Sequence, residues 1–345
     1  MHVNLTVALA GLIVGFTVGL TGMGGGALMT PILVLLFKVQ PLAAVSSDLV
    51  AALVMKPVGG MVHARRGTVN YRLVRWLCLG SIPSAFAGVF VLRALGGSHV
   101  QSEVKVILGI ALVVAAASIV VKSYLQGHAA ERMRRHGYEH EPFQIKPVPT
   151  LLIGAVGGLV VGMTSVGSGS LIIVALLMLY PMLSSKELVG TDLIQAIPLV
   201  GAAALGHILY GDFQLSLTTS ILIGSLPGVY LGARLSSRAP DGLIRPALVF
   251  VLIASGCKLV GMQTSTLGLV LLGLVLLGLP VWGAIDAARK HTDRWQEAGQ
   301  SRSRWIRLQG LGALVGVGFV ASIVYFARIR PRLLPSAAVP VLEAA

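Results

Sequence analysis

The sequence predicts an all-α polytopic membrane protein: two inverted repeats, each a glycine-broken re-entrant helix hairpin plus three transmembrane helices, with two extra C-terminal transmembrane helices. Three observations carry that prediction. Of the 345 residues 55% are hydrophobic and 12% charged, about half the charge of a soluble domain. Apolar runs able to cross a hydrocarbon core of ~30 Å recur along the whole chain. The first part of the sequence also returns in the second. A shift of 143 residues lays Gly11, Gly15, Gly19, Thr21, Gly24, Gly26 and Leu28 on Gly154, Gly158, Gly162, Thr164, Gly167, Gly169 and Leu171. After one inserted residue the shift is 144, and Asp48, His63, Gly80, Ser81 and Pro83 fall on Asp192, His207, Gly224, Ser225 and Pro227. Register held over so many punctuating residues marks a duplication.

The first element, residues 5 to 38, would make a helix about 50 Å long, too long for one crossing and too short for two with a turn. Two short helices meeting at "TGMGGG" fit better, with "TSVGSGS" (164 to 170) as the counterpart inside the run 148 to 181. Lipid tolerates a broken backbone only where protein or a polar cavity supplies its hydrogen-bond partners, so the two tips should lie inside the molecule and face each other. Full crossings follow at about 41 to 63, 73 to 95 and 104 to 124, then at 186 to 209, 215 to 235 and 243 to 262. The domain organisation read from this is a first repeat over 1–124, a cytoplasmic linker over 125–147, a second repeat over 148–262, and a C-terminal pair over 263–345 with spans near 266 to 287 and 308 to 327. The N-terminal run has no basic n-region or A-x-A site and continues into the glycine motif, so it reads as retained structure.

Charge orients the spans. The net charge of +14 sits at span ends, where the positive-inside rule accounts for it, and no nucleic-acid partner is needed. The loop after 41 to 63 carries Arg65, Arg66, Arg72 and Arg75, whereas its counterpart around Gly211 carries no Lys or Arg. One step later the bias reverses: Arg93 stands against Arg234, Arg238 and Arg245. The repeats are therefore expected to be inverted, with 64 to 72, 125 to 147, 236 to 242 and 288 to 307 in the cytoplasm and the N-terminus outside. This topology puts Arg328, Arg330 and Arg332 outside, against the rule.

Inverted repeats with helices broken at matching places are the pattern of a secondary transporter with its site near mid-membrane. At such a break a substrate can approach the backbone closely, and the following half-helix offers N–H groups and a positive dipole end to an anion. The candidate binding residues are Thr21, Gly24, Gly25 and Gly26 of the first tip and Thr164, Ser165, Gly167, Ser168, Gly169 and Ser170 of the second. The plainer reading is tight helix packing, which is assigned to Gly11, Gly15 and Gly19.

The pair "GLTGMGGGALMTPIL" and "GMTSVGSGSLIIVAL", each followed by "SSDL" or "GTDL", resembles the sulfite exporter TauE/SafE family of bacterial anion permeases over about residues 5 to 262. The resemblance implies an inner-membrane carrier of sulfur-containing or organic anions such as sulfite, thiosulfate or sulfonates. Ser168 departs from the glycine-rich form of the tip, and the chain from 264 onward lies outside the pattern.

Ionisable groups inside spans are costly and mark function by default. Asp48 and Asp192 occupy equivalent places and either cap their helices and bond the broken tips, or couple transport to a proton or cation. Lys56, matched by Val200 in the second repeat, either neutralises Asp48 or attracts the anion. Gln195 either donates to an oxyanion or makes a packing hydrogen bond. His63 and His207, at span ends without a carboxylate or thiol cluster, are expected to face the interface, so no metal is called for. Cys78 and Cys257 read as small buried side chains. The basic stretch 289 to 307, with Trp295 and Trp305, is expected to lie against acidic lipid headgroups. No nucleotide fingerprint occurs and no cofactor is implied. The expected partners are a small anion, membrane lipids and, as a coupling ion, protons; an oligomer stays open. An anion channel is the alternative, and a membrane-embedded enzyme ranks lower because the tip serines have no base predicted at their depth.

Overall fold

The computed structural model describes residues 4–21, 26–96, 100–136, 144–210, 213–235, 241–290, 292–312 and 317–333. Among these the chain is helical and carries no β-strand. It divides into two compact units, Met1–Met262 and Gln263–Ala345.

The first unit holds α1 (Leu5–Thr21), α2 (Gly26–Leu35), α3 (Pro41–Arg65), α4 (Tyr71–Gly96) and α5 (Val100–His136), then α6 (Pro147–Thr164), α7 (Leu171–Leu179), α8 (Ser185–Leu209), α9 (Leu215–Leu235) and α10 (Asp241–Leu259). Six helices among the described residues, α3, α4, α5, α6, α8 and α9, contain stretches long and apolar enough to cross a membrane. The helix α5 runs on to His136, into the polar stretch read from sequence as linker. Polarity is distributed as a bilayer requires. Ile13, Leu79, Ile110, Val156 and Ile223 are exposed, while Asp48, Lys56, Asp192 and Gln195 are buried.

Equivalent helices make equivalent contacts. Gly11 and Gly15 of α1 lie against Ile221 and Ser225 of α9, and their repeat equivalents Gly154 and Gly158 of α6 lie against Leu77 and Ser81 of α4. A methyl group at any of the four would run into backbone of the facing helix, so glycine every fourth residue sets the approach of these helices. The glycines thus join the first helix of each half to the other half's α4 or α9.

The order of contacts along each pair gives its direction. Leu77, Ser81 and Ala85 meet Gly154, Gly158 and Gly162 in the same order, so α4 and α6 run parallel. So do α1 and α9, where Ala8, Leu12 and Phe16 meet Gly224, Gly228 and Gly232. Between α3 and α8 the order reverses: Leu53 lies by Gly201, Gly59 by Leu193 and His63 by Gly190. It reverses again in α5 and α10, where Gly109 meets Val260 and Gly256 meets Val113.

The half-helices α2 and α7, of 10 and 9 residues, are about 15 Å long, half a hydrocarbon core. Their partners α1 and α6 are longer than the sequence suggested, at about 26 Å. Even so α6 ends near Gly88 of α4, whose backbone meets Leu159 and Met163, while α4 continues to Gly96, about 12 Å further.

The second unit holds α11 (Thr264–Arg289), α12 (Thr292–Glu297), α13 (Arg302–Gly310) and α14 (Val317–Val324), followed by a π turn over Tyr325–Ile329 and a 3-10 turn over Arg330–Leu333. Here the structure differs from the expected pair of full spans. Arg302 reaches the Ala288 carbonyl and Gln309 packs on Gly283, so α13 runs back along α11; then Ser322 returns to Gln309 and Tyr325 to Asp286. The run 308 to 327 is thus broken, and its chain comes back to the end of α11 from which α13 left. Arg330 pairs with Asp286 at 3.3 Å there, at the end of α11 where the basic stretch 289 to 307 begins, instead of at the opposite end as the sequence topology had it. Trp295 is likewise corrected: it is buried and stacks on Tyr325 at 6.2 Å, in the unit's own core rather than on headgroups.

Candidate functional site

The second tip shows how the backbone turns. Ser165, at the end of α6, has φ 61°, and Gly167 and Gly169 have φ 130° and 89°, a left-handed run that favours glycine at the last two positions. Thr164 spends its hydroxyl locally, donating to the Val160 carbonyl and accepting from the Val166 amide. The amides of Ser170, Leu171 and Ile172 converge on the Gly167 carbonyl at 3.4, 2.9 and 3.4 Å. That corrects one expectation: the first turn of α7 is closed on its own tip, and these amides do not stand open to an anion. Ser170 is buried at the N-cap, and its side chain makes no capping bond.

Two side chains of α3 bracket this tip. Asp48 Oδ2 accepts from Ser165 Oγ at 2.7 Å and from Thr30 Oγ1 of α2 at 2.9 Å. Lys56, two turns further along α3 and only 8% exposed, donates to Ser168 Oγ at 2.5 Å. The substitution of Ser168 for the tip's glycine therefore has a partner, and that partner is the lysine the second repeat lacks. Asp48 ties the hairpins together: Thr30 belongs to the first, Ser165 to the second. Gly26 completes the contact, because a Cβ there would overlap the Ser165 carbonyl.

The face of α8 opposite α3 supplies the rest. Asp192 is buried beside the Gly169 amide, with Lys56 and Lys122 within electrostatic reach. Gln195 donates Nε2 to Ser81 Oγ of α4 at 2.7 Å. Among the described residues neither Asp192 Oδ1 nor Gln195 Oε1 has a hydrogen-bond donor. His207 is fully buried, not interface-facing as expected from sequence, and its Nε2 lies 2.9 Å from the Gly162 carbonyl. A helix broken inside a membrane leaves its last carbonyls without partners, and this imidazole serves one of them. Its equivalent His63 is half-buried, with Nδ1 2.9 Å from Thr68 Oγ1.

The structure thus gathers Asp48, Lys56, Ser165, Ser168 and Gly26 around the second tip, with Gly169 beside Asp192 on α8. Gln195 is engaged with α4. The side chain of Thr21, and Gly24 and Gly25, lie outside the described residues. Sequence reading missed Thr30, Ser81 and His207. Ser81 and His207 have repeat equivalents in Ser225 and His63, which could have flagged them; Thr30 aligns with Ile173 in the second repeat and left no such signal.

Comparison with known proteins points to a family of membrane transporters. The family model described as sulfite exporter TauE/SafE matches residues 7–259. The chain is 38% identical over 259 residues to "Probable membrane transporter protein YjnA" of Bacillus subtilis (strain 168), covering 74% of this chain and 100% of that protein. It is 23% identical over 266 residues to "Probable membrane transporter protein YdhB" of the same organism, covering 75% of this chain and 100% of that protein. No solved structure matches.

Proposed function

This chain belongs to the sulfite exporter TauE/SafE family, and from that premise we propose a secondary transporter, working as an exporter in a bacterial inner membrane, for sulfur-containing or small organic anions such as sulfite or sulfonates. The anion binds near mid-membrane at the second tip, held by the Lys56 ammonium with the hydroxyls of Ser168 and Ser170 beside it. The observation that carries this reading is the Lys56–Ser168 contact: a lysine buried in an apolar helix, costing about 3 kcal/mol to insert, aims its charge at a backbone break. An ammonium engaged by one neutral hydroxyl keeps donors to offer. Asp48, already accepting from two hydroxyls, serves as the clasp between hairpins.

Inverted repeats are supported by helix directions. If each glycine-broken pair made a single broken crossing, each repeat would cross four times and α3 would run parallel to α8; their antiparallel contacts favour an odd number, which a pair that returns to its own side gives. The short α2 and α7 agree with tips that turn inside the bilayer. A channel could use the same tips, but a site built around one buried cation between inverted halves favours alternating access. Flux into liposomes carrying the purified protein tests the reading, with sulfite, thiosulfate, sulfonates and carboxylates compared with and without a pH gradient. Protein-dependent flux of the sulfur anions is expected, and its absence for every anion in the panel contradicts the proposal.

A further inference from the structure

The two aspartates occupy equivalent positions but are hydrogen-bonded differently, Asp48 by two side-chain hydroxyls and Asp192 by the Gly169 backbone amide. Asp48 accepts from two hydroxyls, Thr30 and Ser165, an arrangement that suits a carboxylate. Asp192, equally buried, leaves Oδ1 without a donor, and one turn along the same helix the Gln195 Oε1 is a second buried acceptor without one. Two unpartnered acceptors on one face of α8 cannot satisfy each other. A single added proton changes that: protonated Asp192 becomes an O–H donor, and the Gln195 amide oxygen becomes its acceptor. Resting on the reading of Lys56 as the anion's anchor, we propose that Asp192, positioned by Gln195, is the proton-coupling site of this transporter and that a proton and the anion bind together.

The charges around Asp192 give the sign of the coupling. From α3 it faces Lys56 and, beyond it, Asp48; from α5 it faces Lys122; the second tip contributes the Gly169 amide; and α4 presents the uncharged Ser81 to Gln195. With Asp192 protonated these groups sum to +1 (Lys56 and Lys122 positive, Asp48 negative), which one monovalent anion neutralises. With Asp192 ionised the sum is zero, and the anion would bring an uncompensated charge into the membrane interior. The anion therefore binds better to the protonated protein, and by linkage the bound anion raises the proton affinity of Asp192. The proton comes from the aqueous phase that supplies the anion and leaves with it on the other side.

Infrared spectroscopy of the full chain in lipid nanodiscs reads the proton directly. On acidification the carbonyl stretch of a protonated carboxylic acid is expected to appear, at a higher pH when methanesulfonate is bound; it is removed by Asp192→Asn, kept in Asp48→Asn, and delayed to lower pH in Gln195→Met, where the acceptor is gone. Methanesulfonate, whose charge is constant across the pH range, is the binding probe. In wild type its dissociation constant should rise about tenfold per pH unit once Asp192 ionises. In Asp192→Asn, whose amide imitates the protonated acid, binding should stay tight and independent of pH. The absence of the acid band, its loss with Asp48→Asn, or pH-independent binding in wild type overturns the proposal; in that case the Gln195 amide is turned to donate to a permanently ionised Asp192. The underlying anion reading fails separately: it is overturned if Lys56→Met binds methanesulfonate as wild type does, or if wild type binds none at any pH, while the acid band persists.

Discussion

Lys56 breaks the symmetry of an otherwise duplicated core. Its counterpart is Val200, and the tip residue it contacts, Ser168, aligns with Gly25 of the first tip. One repeat thus keeps a cation and a hydroxyl where the other keeps a valine and a glycine, and the proposed anion site accordingly lies at the second tip rather than on the axis between the halves. Lys56→Met should raise the half-saturation concentration for transport at least tenfold, equivalent to about 1.4 kcal/mol, with the protein still in the membrane. Asp48 offers the competing account, as the carboxylate that Lys56 neutralises. Because Asp48 already has two hydroxyl donors, Lys56→Met alone should leave folding intact. Transport at wild-type affinity in the double variant Lys56→Met with Asp48→Asn would show that the lysine is a structural counter-ion and does not hold substrate.

At the scale of elements, helix direction is the observation with the widest consequence. With α3 and α8 antiparallel, the proposed inverted repeats have the segments that follow them on opposite faces of the membrane. In a variant with Cys78 and Cys257 replaced, a single cysteine at 67 should react with an impermeant thiol reagent only from the cytoplasm, and one at 214 only from outside. Both reacting from one side would end the inverted-repeat arrangement. The close helix packing was legible in the sequence, because close helix contact needs small residues at a four-residue spacing and that spacing survives duplication: Gly11 and Gly15 return as Gly154 and Gly158. What joins the hairpins was not legible. The Asp48–Ser165 bond spans 117 positions, and a pairing at such separation has no local period to betray it. His207 was misread for a related reason, since its partner is a backbone carbonyl, and backbone carbonyls look alike in any sequence.

For the whole molecule, the C-terminal unit shows where composition misleads. The run 308 to 327 is apolar enough to read as a span, yet Gly310 ends α13, and the chain returns along α11 to set Tyr325 and Arg330 on Asp286. That return brings Arg330 to the end of α11 where the other arginines gather, so the one charge cluster that opposed the positive-inside rule no longer does. The first unit is the proposed carrier, which binds one small anion at the second tip and exposes it to each side in turn. Counterflow separates a carrier from a channel most directly. Proteoliposomes preloaded with unlabelled sulfite or sulfonate are diluted into a trace of the same labelled anion. A carrier gives transient accumulation of label above its outside concentration, reduced in Lys56→Met. Label that only equilibrates, at a rate indifferent to the anion preloaded inside, would contradict the proposed carrier.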